Sequence, residues 1–161
     1  MTTEGAPEID ARQVSLLAEQ IASRGVALRE RIDALAQRPV RILAVTKGQP
    51  VEVAAAALQA GYPELGENYA QELRDKAPRL PDARWHFIGR LQTNKVRLIS
   101  SAVSVWESLD RGSAIEAVAK RSPGAQAMVQ VDLAGLEGRG GCDRRAVPAL
   151  VDAAHSAGMA V

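Results

Sequence analysis

Short apolar blocks alternate along this chain with longer stretches whose apolar positions recur at helical spacing. From Asp10, an N-cap candidate with Gln13 three residues on, Val14, Leu17, Ile21, Leu28, Ile32 and Leu35 fall on one helical face up to Gln37. The spacing predicts a long helical region. Gly25 interrupts it, so two helices breaking near Arg24-Gly25 are as well supported as one. After Pro39 the pattern changes to the continuous apolar run Val40-Arg41-Ile42-Leu43-Ala44-Val45-Thr46, which suits a strand buried on both faces of a parallel sheet. A helix from about Val51 to Ala60 follows Pro50, with Gly61 as its stop.

The alternation then repeats. Glu64-Leu65-Gly66 reads as a strand with Tyr69 to Lys76 helical, and Trp85-His86-Phe87-Ile88 as a strand with Asn94 to Ile99 helical. Ala102 to Trp106 leads to a helix opening at Ser113, where Ser113 and Glu116 have the spacing of a capping box. Ala127 to Leu133 is the fifth strand, Ala146 to Ala157 the fifth helix of the repeat, and Met159 the expected start of a sixth strand. Strand starts about twenty residues apart are the period of a repeated βα unit with short connections. That period favours a βα barrel, although a doubly wound open sheet has the same local pattern. A full eight-fold barrel takes about 250 residues, so the 161 residues here provide about five units plus the start of a sixth strand. Residues 1–9 are polar and read as a flexible tail; residues 10–161 read as one domain.

Composition narrows the partners. With 47% hydrophobic residues and a formal net charge of +1, the chain is an ordinary globular domain with one expected core. Balanced charge gives no reason to propose nucleic acid or an anionic membrane as a partner. One cysteine, Cys142, excludes an internal disulfide, and the N-terminus lacks a secretory apolar stretch, which makes the reducing cytoplasm the expected compartment. Only Lys47, Lys76, Lys95 and Lys120 are lysines among 20 basic residues. Arginine is the default cation here, so a lysine in an interior-facing place is mildly surprising: arginine serves solubility as well and forms no imine.

Lys47 stands at the carboxyl end of the first strand, where active-site groups of parallel α/β folds collect, and Gly48 lets the backbone turn. Spacing alone favours an ordinary lysine snorkelling from the strand end. A place within a barrel mouth would instead desolvate the amine and favour its neutral, nucleophilic form. Asn68 follows the second strand, where it can either bind a ligand oxygen or cap a helix. His86 falls inside the third strand, where a satisfied core histidine is commoner than a catalyst. Gly89 to Lys95 could face an anion at a helix start, or be explained by Thr93 or Asn94 capping. The glycine-rich stretch Gly135 to Gly141, with Glu137 and Arg139, lacks the order of a nucleotide-binding loop. No metal site is expected, because His155 is the other histidine and Cys142 has no partner at ligand spacing.

Taken in order, Leu43-Ala44-Val45-Thr46-Lys47, Gly66-Glu67-Asn68-Tyr69-Ala70-Gln71-Glu72, Trp85-His86-Phe87-Ile88-Gly89 and Leu91-Gln92-Thr93-Asn94-Lys95 closely resemble the YggS/PROSC family of pyridoxal phosphate homeostasis proteins. The resemblance runs through essentially the whole chain and about the first two thirds of a family member. It implies an incomplete (β/α)8 TIM-type barrel like the N-terminal domain of alanine racemase. It also implies pyridoxal 5'-phosphate held as a Schiff base on Lys47, with Asn68 and His86 as further cofactor-binding residues. Two departures matter. Family members commonly carry Lys-x-Gly after the fifth strand where this chain has Arg139-Gly140-Gly141, and the family's phosphate-binding residues lie in later strands. Weak retention of the cofactor is therefore expected of these 161 residues.

The resemblance implies a non-catalytic carrier in intracellular cofactor homeostasis, monomeric, delivering to apo-enzyme acceptors. The alternatives are an alanine-racemase-like enzyme, which needs a second proton-transfer group across the cofactor, and a truncated remnant that binds nothing.

Overall fold

The structure, a computed structural model, describes residues 9–135 and 140–161. The expected tail lies outside the described residues except for Ile9, as do Glu137 and Arg139 of the glycine-rich stretch. Helices and strands alternate as α1 (Ala11–Leu35), β1 (Ala44–Val45), α2 (Val51–Gln59), β2 (Glu64–Glu67), α3 (Ala70–Lys76), β3 (Arg84–Phe87), α4 (Val96–Ile99), β4 (Val103–Leu109), α5 (Gly112–Arg121), β5 (Gln126–Val129) and α6 (Val147–Ser156). The strands follow one another in the sheet in chain order. This is the arrangement that short helical crossovers between parallel strands produce. β3 and β4 pair in parallel with Phe87 opposite Trp106, and β4 and β5 with Trp106 opposite Ala127. Ala160 forms a parallel bridge with Gln126, accepting from the Ala127 N–H at 2.8 Å, where the sixth strand is expected.

The chain divides into two compact units, residues 1–65 and 66–161, with the boundary inside β2. In the first unit the Asp10 carboxylate accepts from the N–H groups of Arg12 at 2.9 Å and Gln13 at 3.2 Å, satisfying two donors that a helix start otherwise leaves open. α1 then runs unbroken through Gly25. The missing side chain serves packing: Gly25 is buried, and a Cβ there would run into the Tyr62 phenol. Val14 and Ala18 of α1 pack on Ala56 of α2, with Ile9, Leu17 and Ile21 around them. Arg41, beside β1, donates to Glu64 of β2 at 2.7 Å.

In the second unit, Trp85 of β3 and Trp106 of β4 are among the largest fully buried side chains, and the rings of Phe87 and Trp106 meet at a centroid distance of 6.0 Å. Offset and tilted aromatic pairs at this separation add to the burial of their area. α5 opens at Gly112, with Arg111 at the cap and no side-chain cap bond. Ser113 therefore lies inside the first turn, and the predicted capping box does not form. On β5, Ala127 is buried while its neighbour Met128 is 48% exposed, the alternation of a strand with one covered face. Among the described residues no helix is long and apolar enough to cross a membrane.

Candidate cofactor site at the strand ends

Lys47 comes two residues after the end of β1, past the buried Thr46. The Gln49 N–H donates to the Thr46 carbonyl at 3.1 Å, closing a turn in which Gly48 takes φ +69°. That left-handed conformation costs a residue with a Cβ and costs glycine nothing. The turn carries Lys47 to the surface: the side chain is exposed, not desolvated as a place within a barrel mouth would make it. Its amine is thus reachable by an aldehyde in solution.

Asn68 and His86 belong to the second unit. Asn68 is half-buried just past β2 and does not cap α3, because the helix opens at Ala70 with Tyr69 in the cap position. The backbone there is held closely. The Ile88 N–H donates to the Glu67 carbonyl at 2.9 Å, and a Cβ added to Gly89 would stand 2.7 Å from the Asn68 carbonyl carbon. Only a glycine allows β3 to leave the sheet this close to the end of β2. Asn68 lines a cleft of about 350 Å³ together with Phe87 and Lys95, a cleft that His86 does not share.

His86 is buried and its Nδ1 lies 2.5 Å from Glu107 Oε1 on β4. An ionised carboxylate only accepts, so the ring nitrogen facing it donates. Consecutive strand residues project to opposite faces, which puts the His86–Glu107 pair on the other side of the sheet from the Phe87–Trp106 rings. The capping explanation for Gly89 to Lys95 is not realised either: Thr93 to Lys95 form a single 3-10 turn with Gln92 at its cap and no side-chain cap bond.

The most buried charges belong to residues that no sequence motif singles out for chemistry. Lys76 Nζ donates to Glu67 Oε1 at 2.7 Å and to Glu72 Oε2 at 3.2 Å, with side-chain exposures of 7% for Lys76 and 0% for Glu67. Glu67 is the residue before Asn68, so this ion pair ties the last turn of α3 to the strand end that presents the amide. A signal was available. Lys76 is one of only four lysines in an arginine-rich chain, and it is the buried one. Among the described residues there is no group of three or more histidine, cysteine or acidic side chains that could hold a metal ion.

Comparison with known proteins adds to this geometry. A family model described as alanine racemase, N-terminal domain, matches residues 25–161. The chain is 34% identical over 148 residues to a pyridoxal phosphate homeostasis protein of Pseudomonas aeruginosa, covering 87% of this chain and 64% of that protein. PipY of Synechococcus elongatus PCC7942, in a structure with pyridoxal phosphate bound, is 31% identical with a TM-score of 0.65, over 81% of this chain and 64% of PipY. Alanine racemase from Streptomyces coelicolor A3(2) is 27% identical with a TM-score of 0.64, over 91% of this chain and 40% of the racemase. The chain spans between about one third and two thirds of the length of the curated relatives it matches.

Proposed function

Because the chain belongs to the alanine racemase N-terminal domain family, whose βα-barrel fold it carries as five strands and the start of a sixth, we propose that it holds pyridoxal 5'-phosphate through Lys47. Attachment is a Schiff base between the lysine amine and the cofactor aldehyde. The observation that carries this reading is the placement of Lys47: an exposed amine directly past a parallel strand, on a turn fixed by Gly48, in a chain similar to homeostasis proteins and to a relative solved with the cofactor. The aldehyde supplies the electrophile, and the protein supplies position and a nucleophile.

The other residues serve to bind and orient. Asn68 offers an amide at the end of β2, and its backbone is fixed by Gly89 and by the Lys76–Glu67 pair beside it. His86 is held in one ring orientation by Glu107 and contributes a fixed dipole on the sheet face opposite Phe87. The role that fits these residues is that of a carrier in cofactor homeostasis, which releases its cargo to apo-enzymes or amines in the cytoplasm. The names of the relatives support that role.

Borohydride reduction after incubation with the cofactor, followed by peptide mapping, tests the attachment. The expected result is a stable pyridoxyl adduct on Lys47 and none on the other three lysines. Absence of any adduct on folded protein at saturating cofactor would sink the proposal for this chain. Racemisation of amino acids lost in Lys47→Ala would replace the carrier with an enzyme.

A further inference from the structure

We propose that the cleft at the carboxyl ends of β2 and β3, whose lining does not include Lys47, is a binding site for a phosphate group. The cleft, about 350 Å³, is lined by Arg90, Gln92 and Lys95 on one side and by Asn68 and Gln71 on the other, over Phe87. Among the described residues its lining holds two cations and three amides, and no carboxylate. Among the described residues no ion pair joins Arg90 or Lys95 to an acidic side chain. Asp110 is engaged by Arg111 at 2.5 Å and accepts from the Gly141 N–H at 3.3 Å.

The backbone that carries the donors is held in place before any ligand arrives. Arg111 donates to the Leu91 carbonyl at 2.6 Å, the Lys95 N–H donates to the Gln92 carbonyl at 2.9 Å, and Leu91 is buried, so the segment from Arg90 to Lys95 is clamped at both ends. With its amide turned so that the oxygen meets the Arg74 guanidinium at 3.0 Å, the orientation that satisfies both groups, Gln71 has its NH2 left to donate. Phe87 is 2% exposed and closes the floor against water. A guanidinium, an ammonium and amide NH2 groups converging over an apolar floor match the acceptor-only oxygens of a phosphate, since Arg takes two of them at once and Lys acts as a point charge. A fixed backbone lowers the entropy lost when these side chains close on a ligand.

Inorganic phosphate and phenyl phosphate are the two probes, titrated into the protein at 0.15 M salt, about 8 Å of Debye length, with amide chemical shifts as readout. The expected result is saturable binding with shifts centred on Gly89 to Lys95, at least tenfold weaker in Arg90→Ala/Lys95→Ala and unchanged in Lys47→Ala. Tighter binding of inorganic phosphate assigns the free ion as the ligand; tighter binding of phenyl phosphate assigns a phosphate monoester. Linear, non-saturating shifts overturn the proposal, as does an unchanged affinity in the double variant. Loss of binding in Lys47→Ala overturns it too, by assigning the phosphate to the Lys47 site. Should the double variant lose its fold, Arg90→Gln at an exposed position carries the same expectation with a smaller loss.

Discussion

Lys76→Met removes the cation from a carboxylate that has no exposure to water. Glu67 then stays in place with the cost of burying its charge and without the ammonium 2.7 Å away. Breaking a buried pair from one side costs about 3–5 kcal/mol. For a chain of this size each kcal/mol moves the melting midpoint by about 2–4 °C, so the variant should melt about 6–20 °C below the parent. Glu72 cannot rescue it, being itself an anion and 31% exposed. The partner experiment is Glu67→Leu/Lys76→Met, which replaces the pair with apolar groups of similar length and should return to within about 1 kcal/mol of the parent or exceed it. Urea denaturation of the parent, both single variants and the double variant closes a thermodynamic cycle, and the coupling energy is the quantity of interest. A Lys76→Met protein within 1 kcal/mol of the parent, or a double variant no better than the worse single one, would refute the argument that this pair is held by mutual need.

Three further outcomes follow from particular contacts. Gly89→Ala should lose about 1–3 kcal/mol in urea denaturation, as overpacking against backbone does, because the new methyl meets the Asn68 peptide. Trp106→Ala empties a fully buried site and takes away the partner of Phe87, a loss of about 3–5 kcal/mol measurable in the same way. Asp10→Ala should cost about 1 kcal/mol and, by hydrogen exchange, loosen the first turn of α1, where the carboxylate accepts two backbone N–H groups.

The order of elements was legible because buried parallel strands leave apolar runs and helices leave spaced ones, both of them local signals. Val40 to Thr46 announced β1, although only Ala44–Val45 pair as strand, and Gly61 and Gly158 marked helix ends. Failures arose where a distant residue decided the outcome. At Gly25 one helix and two are equally supported by the sequence, because nothing nearby reveals that Tyr62 packs over it. The pair of Ser113 and Glu116 has the right spacing for a cap, yet the helix opens at Gly112. Of the candidate site, Lys47 was found at the strand end, but its exposure depends on where Gly48 turns the chain. Lys76 and Glu72 stand four apart in sequence with no local sign of burial, and only the fold brings Glu67 against Lys76.

The half-covered strand β5 has a chemical consequence of its own. Met128 presents its thioether to solvent at 48% exposure, whereas Met159 is 4% exposed. Sulfur oxidation follows access, and a sulfoxide turns a flexible apolar side chain into a polar one. Dilute peroxide therefore labels Met128 long before Met159, and the rate at that sulfur becomes a clock for anything that later settles over the open side of β5.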